Sequence, residues 1–218
     1  MRKLKRTVSD PIDITDLLAP MDLTQEYLST AVRFGEARRD ACTPNDAPVV
    51  PSFLAWAGTL RKLRDDAPIG VWEKSDRSLN LIINRSKRIA ISVASGGEHT
   101  GDPDPDATPT TKRAVGIATR RAVFRNRQGV LDLKYANVQD VGEENCITYL
   151  LLRRRENDKV FWELSVPDVI GIDGFVVGWS ERVVFPPIDL EPSPSAQADD
   201  EQTSKLSVPV NRKAQKKG

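Results

Sequence analysis

The residues able to do chemistry crowd into one stretch of the chain, residues 95–134. It opens with Ser95-Gly-Gly-Glu-His-Thr-Gly-Asp-Pro-Asp-Pro-Asp106, which carries four acids and the only histidine of the sequence. Residues 107–131 then hold no acid but six cations: Lys112, Arg113, Arg120, Arg121, Arg125 and Arg127. If residues 111–128 form one helix, a rotation of about 100° per residue puts Val115, Ala118 and Ala122 on one face. Arg113, Arg120, Arg121 and Arg127 gather opposite them, with Phe124 among them. A basic stripe with one aromatic ring suits contact with phosphates and stacking on bases. The opposing reading is a merely solvated face whose charge is neutralised by the acids just upstream.

Other chemistries compete for the same stretch. The glycines after Ser95 sit where a phosphate-cradling loop would. Neither phosphate-loop spacing is met, however, and Glu98 and Asp102 repel an anion. Asp102, Asp104 and Asp106 alternate with prolines and lack the glycine and distal glutamate of a calcium loop. A Mg²⁺-dependent phosphodiesterase or nuclease of the PD-(D/E)xK type would pair Asp104 or Asp106 with Asp132, leaving Lys134 beside the attacking water. That alternative requires the carboxylates to converge across the intervening basic segment. His99 has no second histidine to share a zinc ion, and no nucleophile is marked for it. No cofactor is expected.

The elements that must position these residues follow from periodicity. Asp22 reads as a helix cap with Gln25 in capping-box register, ahead of an apolar stripe over Leu23, Tyr27, Leu28, Ala31 and Val32. Three prolines between Cys42 and Pro51 mark a loop. A second helix is expected from Ser52, with Phe53, Trp56, Ala57, Leu60 and Leu63 on its buried side. The period then changes to two. Residues 70–74, 78–84 and 88–95 read as a three-stranded meander with one face buried. Residues 147–152, apolar on both faces, read as a central strand. Residues 160–166 and 175–185 complete the set, and Arg153, Arg154 and Arg155 mark a hairpin end. The four tryptophans are expected to pack in or beside the core.

The fold class expected is α+β: N-terminal helices on a mostly antiparallel sheet of about six strands, with one inserted basic helix and disordered termini. Residues 1–21 read as a basic flexible arm, residues 22–188 as a single domain and residues 189–218 as a tail. The tail's first part, to Glu201, has five acids and no base, and its last part, from Lys205, five bases and no acid. Such composition cannot bury enough surface to offset its ordering entropy.

The whole chain has 218 residues and a net charge of +1, so total charge selects no partner class. The two cysteines, Cys42 and Cys146, make no disulfide framework, and no apolar run is long enough to span a bilayer. A cytoplasmic location follows as the expectation. The function that fits best is a non-enzymatic accessory or adaptor protein touching nucleic acid or another acidic partner through Lys112, Arg113, Arg120, Arg121, Phe124, Arg125 and Arg127. A third reading is an interaction subunit using its acidic loop or C-terminal tail.

Overall fold

The first described residues already belong to the sheet. The computed structural model describes residues 6–128 and 145–190. Strand β1 (Arg6–Val8) pairs in parallel with β7 (Val176–Val184), and helix α1 (Pro11–Leu18) follows at once. Asp10 caps α1: its side chain accepts from the backbone of Ile12 at 2.9 Å and of Asp13 at 3.4 Å, while Pro11 fills a first-turn position whose N–H would go unused. Ile14 and Leu18 are buried. Residues 6–21, expected as a flexible arm, instead form β1, α1 and a short turn, with Pro11 starting the helix.

The next two helices pack closely against each other. Helix α2 (Gln25–Asp40) is capped by Thr24, whose hydroxyl accepts from the Tyr27 backbone at 3.1 Å. The expected cap, Asp22, is instead a left-handed residue at φ 57° that ends the short turn Ala19–Met21. Its carboxylate accepts from Asn84 at 2.9 Å. Helix α3 (Val50–Asp65) starts two residues before the expected Ser52, with Pro51 in its first turn. The contact between α2 and α3 runs through small residues. A Cβ on Gly35 would lie 2.1 Å from Thr59 Oγ1 and 2.4 Å from the Ala55 carbonyl. The helix buries Ala55, Gly58, Thr59, Leu60 and Leu63, and this leaves Phe53, assigned to the buried stripe, more than half exposed.

Strands β2 (Glu73–Ser75), β3 (Leu81–Asn84) and β4 (Ile89–Ser95) form the antiparallel meander expected. After β4 the chain crosses through α4 (Ile117–Gln128) to β5 (Ile147–Glu156), which lies parallel to β4; a parallel neighbour requires such a crossover. Strands β6 (Lys159–Ile170) and β7 continue antiparallel from β5, and β8 (Ile188–Asp189) pairs with β6 at Lys159 and Val160. The sheet has eight strands in the order β1-β7-β6-β5-β4-β3-β2, with β8 beside β6. The six expected strands are β2 to β7; β1 and β8 are too short to show a period.

Buried residues lie on both faces of the sheet, and in the meander β3 and β4 bury both faces where one buried face was expected. Helices α1 to α3 cover one face, over a core including Ile91, Leu151, Leu164 and the Trp162–Phe185 stack, whose ring centroids are 4.0 Å apart. Helix α4 and the chain before it cover the other, over Val123, Leu150, Leu152, Val176 and Trp179. No helix among the described residues is long and apolar enough to cross a membrane. Of the expected tail, Asp189 and Leu190 are described, the former in β8; residues 191–218 lie outside the described residues, as do 1–5 of the arm.

Since α1 is seated on the core, Ile14→Ala should lower unfolding free energy by about 2–5 kcal/mol, as for other large-to-small core changes. Ile12→Ala, two residues away and exposed, should stay within about 0.5 kcal/mol. Urea denaturation of the two variants beside the parent checks this; equal, negligible effects would return residues 6–21 to the status of an arm.

Candidate functional site

Strand β4 outruns its neighbour β3, whose last pairing with it joins Leu81 to Ser92. Residues 110–112 come back along the exposed end: Lys112 donates its backbone N–H to Ser95 at 2.9 Å and Gly97 donates to Thr110 at 2.7 Å. Thr111 also receives a bond from the Val176 backbone on its hydroxyl, at 3.2 Å. The return segment thus joins β4 to β7, which the sheet order separates by two strands.

Between these anchors, residues 98–109 lie over a buried ion pair. Arg182 of β7 and Glu163 of β6 meet at 2.7 Å with almost no solvent access. The same guanidinium donates to the carbonyls of Ala107 and Asp102, each at 2.9 Å. The same carboxylate accepts from Gly101 N at 2.9 Å and Ser165 Oγ at 2.8 Å. Gly101 has φ +76° and sits where a Cβ would fall 2.8 Å from Trp162 N, so the loop presses directly on β6. Trp179 Nε1 donates to Pro109 at 2.7 Å and closes the arch.

This geometry uses two of the loop's four acids internally. Asp102 accepts from Asp104 N at 3.0 Å, and Asp104 accepts from Asp106 N at 2.9 Å. The Asp102 carboxyl is held below the ordinary carboxylate range, first by that Asp104 N–H and then by His99 and Arg182. His99 is exposed at φ 59° and faces Asp102 at 3.4 Å. Among the described residues no ion pair joins these four acids to the cations of the basic segment.

The basic segment is not one helix from 111. Residues 111–116 are non-helical, Val115 bonding the Gly174 carbonyl at 2.8 Å, and α4 begins at Ile117, beyond Gly116. The buried face of α4 carries Ala122, Val123 and Asn126. Val115, placed on that face by the one-helix reading, precedes the helix. Asn126 pins the helix to the sheet: its Nδ2 donates to Thr148 at 2.9 Å and Pro167 at 3.0 Å, and its Oδ1 accepts from Thr148 N at 3.0 Å.

With that face seated, Ile117, Arg120, Arg121, Phe124 and Arg127 all turn to solvent; Phe124 is 60% exposed and Ile117 68%. Arg125 lies on the flank, half-buried, with its Nε buried and without a hydrogen bond among the described residues. Arg120 folds back, donating from Nε to the Val115 carbonyl at 3.2 Å, which brings its head to the chain just after exposed Lys112 and Arg113. Among the described residues none of these six cations is in an ion pair. By contrast Arg153, Arg154 and Arg155 are committed, to Glu36 at 2.6 Å, to Glu156 at 2.6 Å and to Asp40. They add nothing to the basic surface.

One contributor escaped the sequence reading. Val49, Ser52, Phe53, Trp56, Ser95 and Arg113 line an open recess of ≈ 170 Å³ between the start of α3 and the end of β4. Phe53 passes for a core residue at the correct helical spacing. The small residues Ala55, Gly58 and Thr59 are the signal that the contact face lies roughly 120° further round the helix, at 100° per residue. For the metal-dependent alternative, Asp132 and Lys134 lie outside the described residues. Among the described residues no three His, Cys, Asp or Glu side chains are grouped so as to hold a metal ion.

Glu163→Gln would leave the Arg182 charge buried and unpaired, so it should cost about 3–5 kcal/mol and free the loop. Trypsin cleavage at Lys112 and Arg113 should then accelerate under native conditions. The Glu163→Leu/Arg182→Met double variant should recover part of the stability while the loop, short of its backbone partners, stays cleavable. Cleavage unchanged in both variants would show that the pair does not hold the loop. No protein-family model matches the chain, and comparisons with curated proteins and with solved structures return no match either.

Proposed function

We propose that this protein is a non-enzymatic accessory or adaptor protein that holds a polyanion, nucleic acid in the first place, against the solvent face of α4 and the chain leading into it. The observation that carries the reading is the set of cations without ion-pair partners among the described residues. Arg120, Arg121 and Arg127 project from one side of one helix, Lys112 and Arg113 are exposed on the chain leading into it, and the carboxylates of Asp102 and Asp104 accept from their own loop.

Three exposed arginines on the sheet-backed helix, with Lys112 and Arg113 on the chain anchored ahead of it, form this surface. Neutralising phosphates there releases condensed counterions, which makes binding fall steeply with salt. Phe124 and Ile117 add exposed apolar area amid the charges, as a surface that also contacts sugars or bases requires. Arginine suits the task because its planar fork bonds phosphate oxygens in pairs and stays charged at any physiological pH.

In a heparin-column or labelled-oligonucleotide titration, the Arg120→Ala/Arg121→Ala double variant should elute at lower salt. Its plot of log affinity against log salt should be shallower by about one unit per arginine removed. Far-ultraviolet circular dichroism should match the parent, since both side chains are exposed. A parent protein that fails to bind heparin or oligonucleotide even at low salt, or a variant with an unchanged slope, would defeat the proposal.

A further inference from the structure

The recess beside Arg113 goes further than a basic stripe. It has an aromatic floor, two hydroxyls and a cation at one edge. Phe53 is 55% exposed, and its ring sits 5.6 Å from that of Trp56 at a 39° tilt, so the pair forms a bent aromatic step. Trp56 cannot rotate away, because its Nε1 donates to the Val93 carbonyl at 3.0 Å. Ser52 and Ser95 bring hydroxyl groups to the walls, and Arg113 closes the side from which the basic segment departs toward α4.

An exposed phenylalanine and an exposed valine (Val49) line the same recess as Arg113, so apolar area and a positive charge meet at one place. A flat aromatic ring attached to a phosphate fits each part of the recess. The ring would lie on Phe53, its polar edge would meet the serine hydroxyls, and its phosphate would reach Arg113. The next phosphates would then run toward Arg120, whose head already lies over residue 115.

We infer that this recess takes one unpaired nucleobase, so that the protein binds single-stranded nucleic acid in preference to duplex. Bases inside a duplex are stacked on one another and cannot enter an aromatic recess, whereas every unpaired base offers a free ring face. The inference rests on the polyanion reading of the basic segment and adds the strandedness of the ligand to it.

The test measures the full-length chain by fluorescence anisotropy against a labelled 12-nucleotide oligo-dT, a duplex of equal length and, separately, heparin elution. The parent should bind oligo-dT more tightly than duplex. Phe53→Ala should weaken oligo-dT binding about tenfold, the loss expected for one base–aromatic stack, while leaving heparin elution unchanged. Phe53→Tyr should retain oligo-dT binding, and because position 53 is exposed neither change should disturb folding. Arg113→Ala should lower both oligo-dT affinity and the heparin elution salt.

Equal affinity for duplex and oligo-dT would overturn the inference. So would Phe53→Ala leaving oligo-dT affinity intact, or lowering heparin retention in equal measure. Tighter binding of a poly-glutamate peptide than of oligo-dT would overturn it too, in favour of an acidic protein partner. These outcomes leave the basic-surface proposal standing; a parent that binds neither heparin nor oligonucleotide removes both together.

Discussion

The buried contact between Glu163 and Arg182 is the constraint on which the candidate surface depends. Ions of this kind give up several kcal/mol each of hydration on leaving water, so the arrangement persists only if the remaining donors and acceptors are satisfied. Here they are. Arg182 spends its fork on the carboxylate and on the carbonyls of Ala107 and Asp102, and Glu163 takes Gly101 N and Ser165 Oγ besides. Three of those partners, Gly101, Asp102 and Ala107, belong to the arch that follows β4. The pair therefore acts as a template: the backbone of residues 99–107 completes its coordination, and in doing so delivers residues 110–113 to the end of β4.

A second buried pair answers it from across the sheet. Arg153 of β5 bonds Glu36 of α2 at 2.6 Å, and burial holds the Arg153 guanidinium below its ordinary range while Glu36 pulls the other way. Leu152 faces Glu163 across β5 and β6, and Arg153 faces Trp162 one step along. Successive residues of a strand point to opposite faces, so the two ion pairs sit back to back at neighbouring positions of the same strand pair. One locks α2 to the helical face and the other locks the arch to the opposite face. Replacing such pairs by apolar residues is often neutral for stability, but it removes the directional information that fixes which backbone lies where. That information is what the arch and α2, each with limited apolar surface of its own, require.

The reach of sequence reasoning follows the same division. The meander was legible because its apolar residues repeat every second position, the central strand because a run of residues is apolar on both faces, and α2 because its stripe, from Leu23 to Val32, persists at helical spacing. Strand β1, with three residues, offers no period to read, and Asp10-Pro11 looks alike whether it ends an arm or caps a helix. The start of α4 was misplaced because charge segregation continues back to Lys112, although the backbone turns helical at Ile117. The arch was unreadable in principle. Its anchor is a glutamate in β6 and an arginine in β7, and on a helical wheel or a strand template each looks like an outward residue of a half-buried sheet. Only the pairing of β6 with β7, a long-range fact, brings them together and turns them inward. Phe53 illustrates the converse failure: a residue of core type at core spacing, displaced to the surface because Gly35 and Gly58 draw the two helices together on a different face.

Helix α4 is, by its own composition, poorly suited to be a helix. It has no acid to meet its cations, Arg121 and Arg125 stand at i,i+4, where like charges cost a few tenths of a kcal/mol, and Arg120 and Arg121 lie near the N-terminal end, where the helix dipole opposes positive charge. Only Arg125 and Arg127, in the last turn, are favourably placed. Its helicity is imposed from below, by Val123 in the apolar cluster and by the three hydrogen bonds of Asn126 to the backbones of Thr148 and Pro167. A segment held against its own repulsion stores an electrostatic cost that an anion on the solvent face relieves. A ligand that binds this folded surface and not the unfolded chain stabilises the fold by mass action. Under the proposed function, the same charges that weaken α4 in isolation couple its stability to occupancy, and the sheet beneath supplies the rigidity that a string of exposed arginines on a loop would lack.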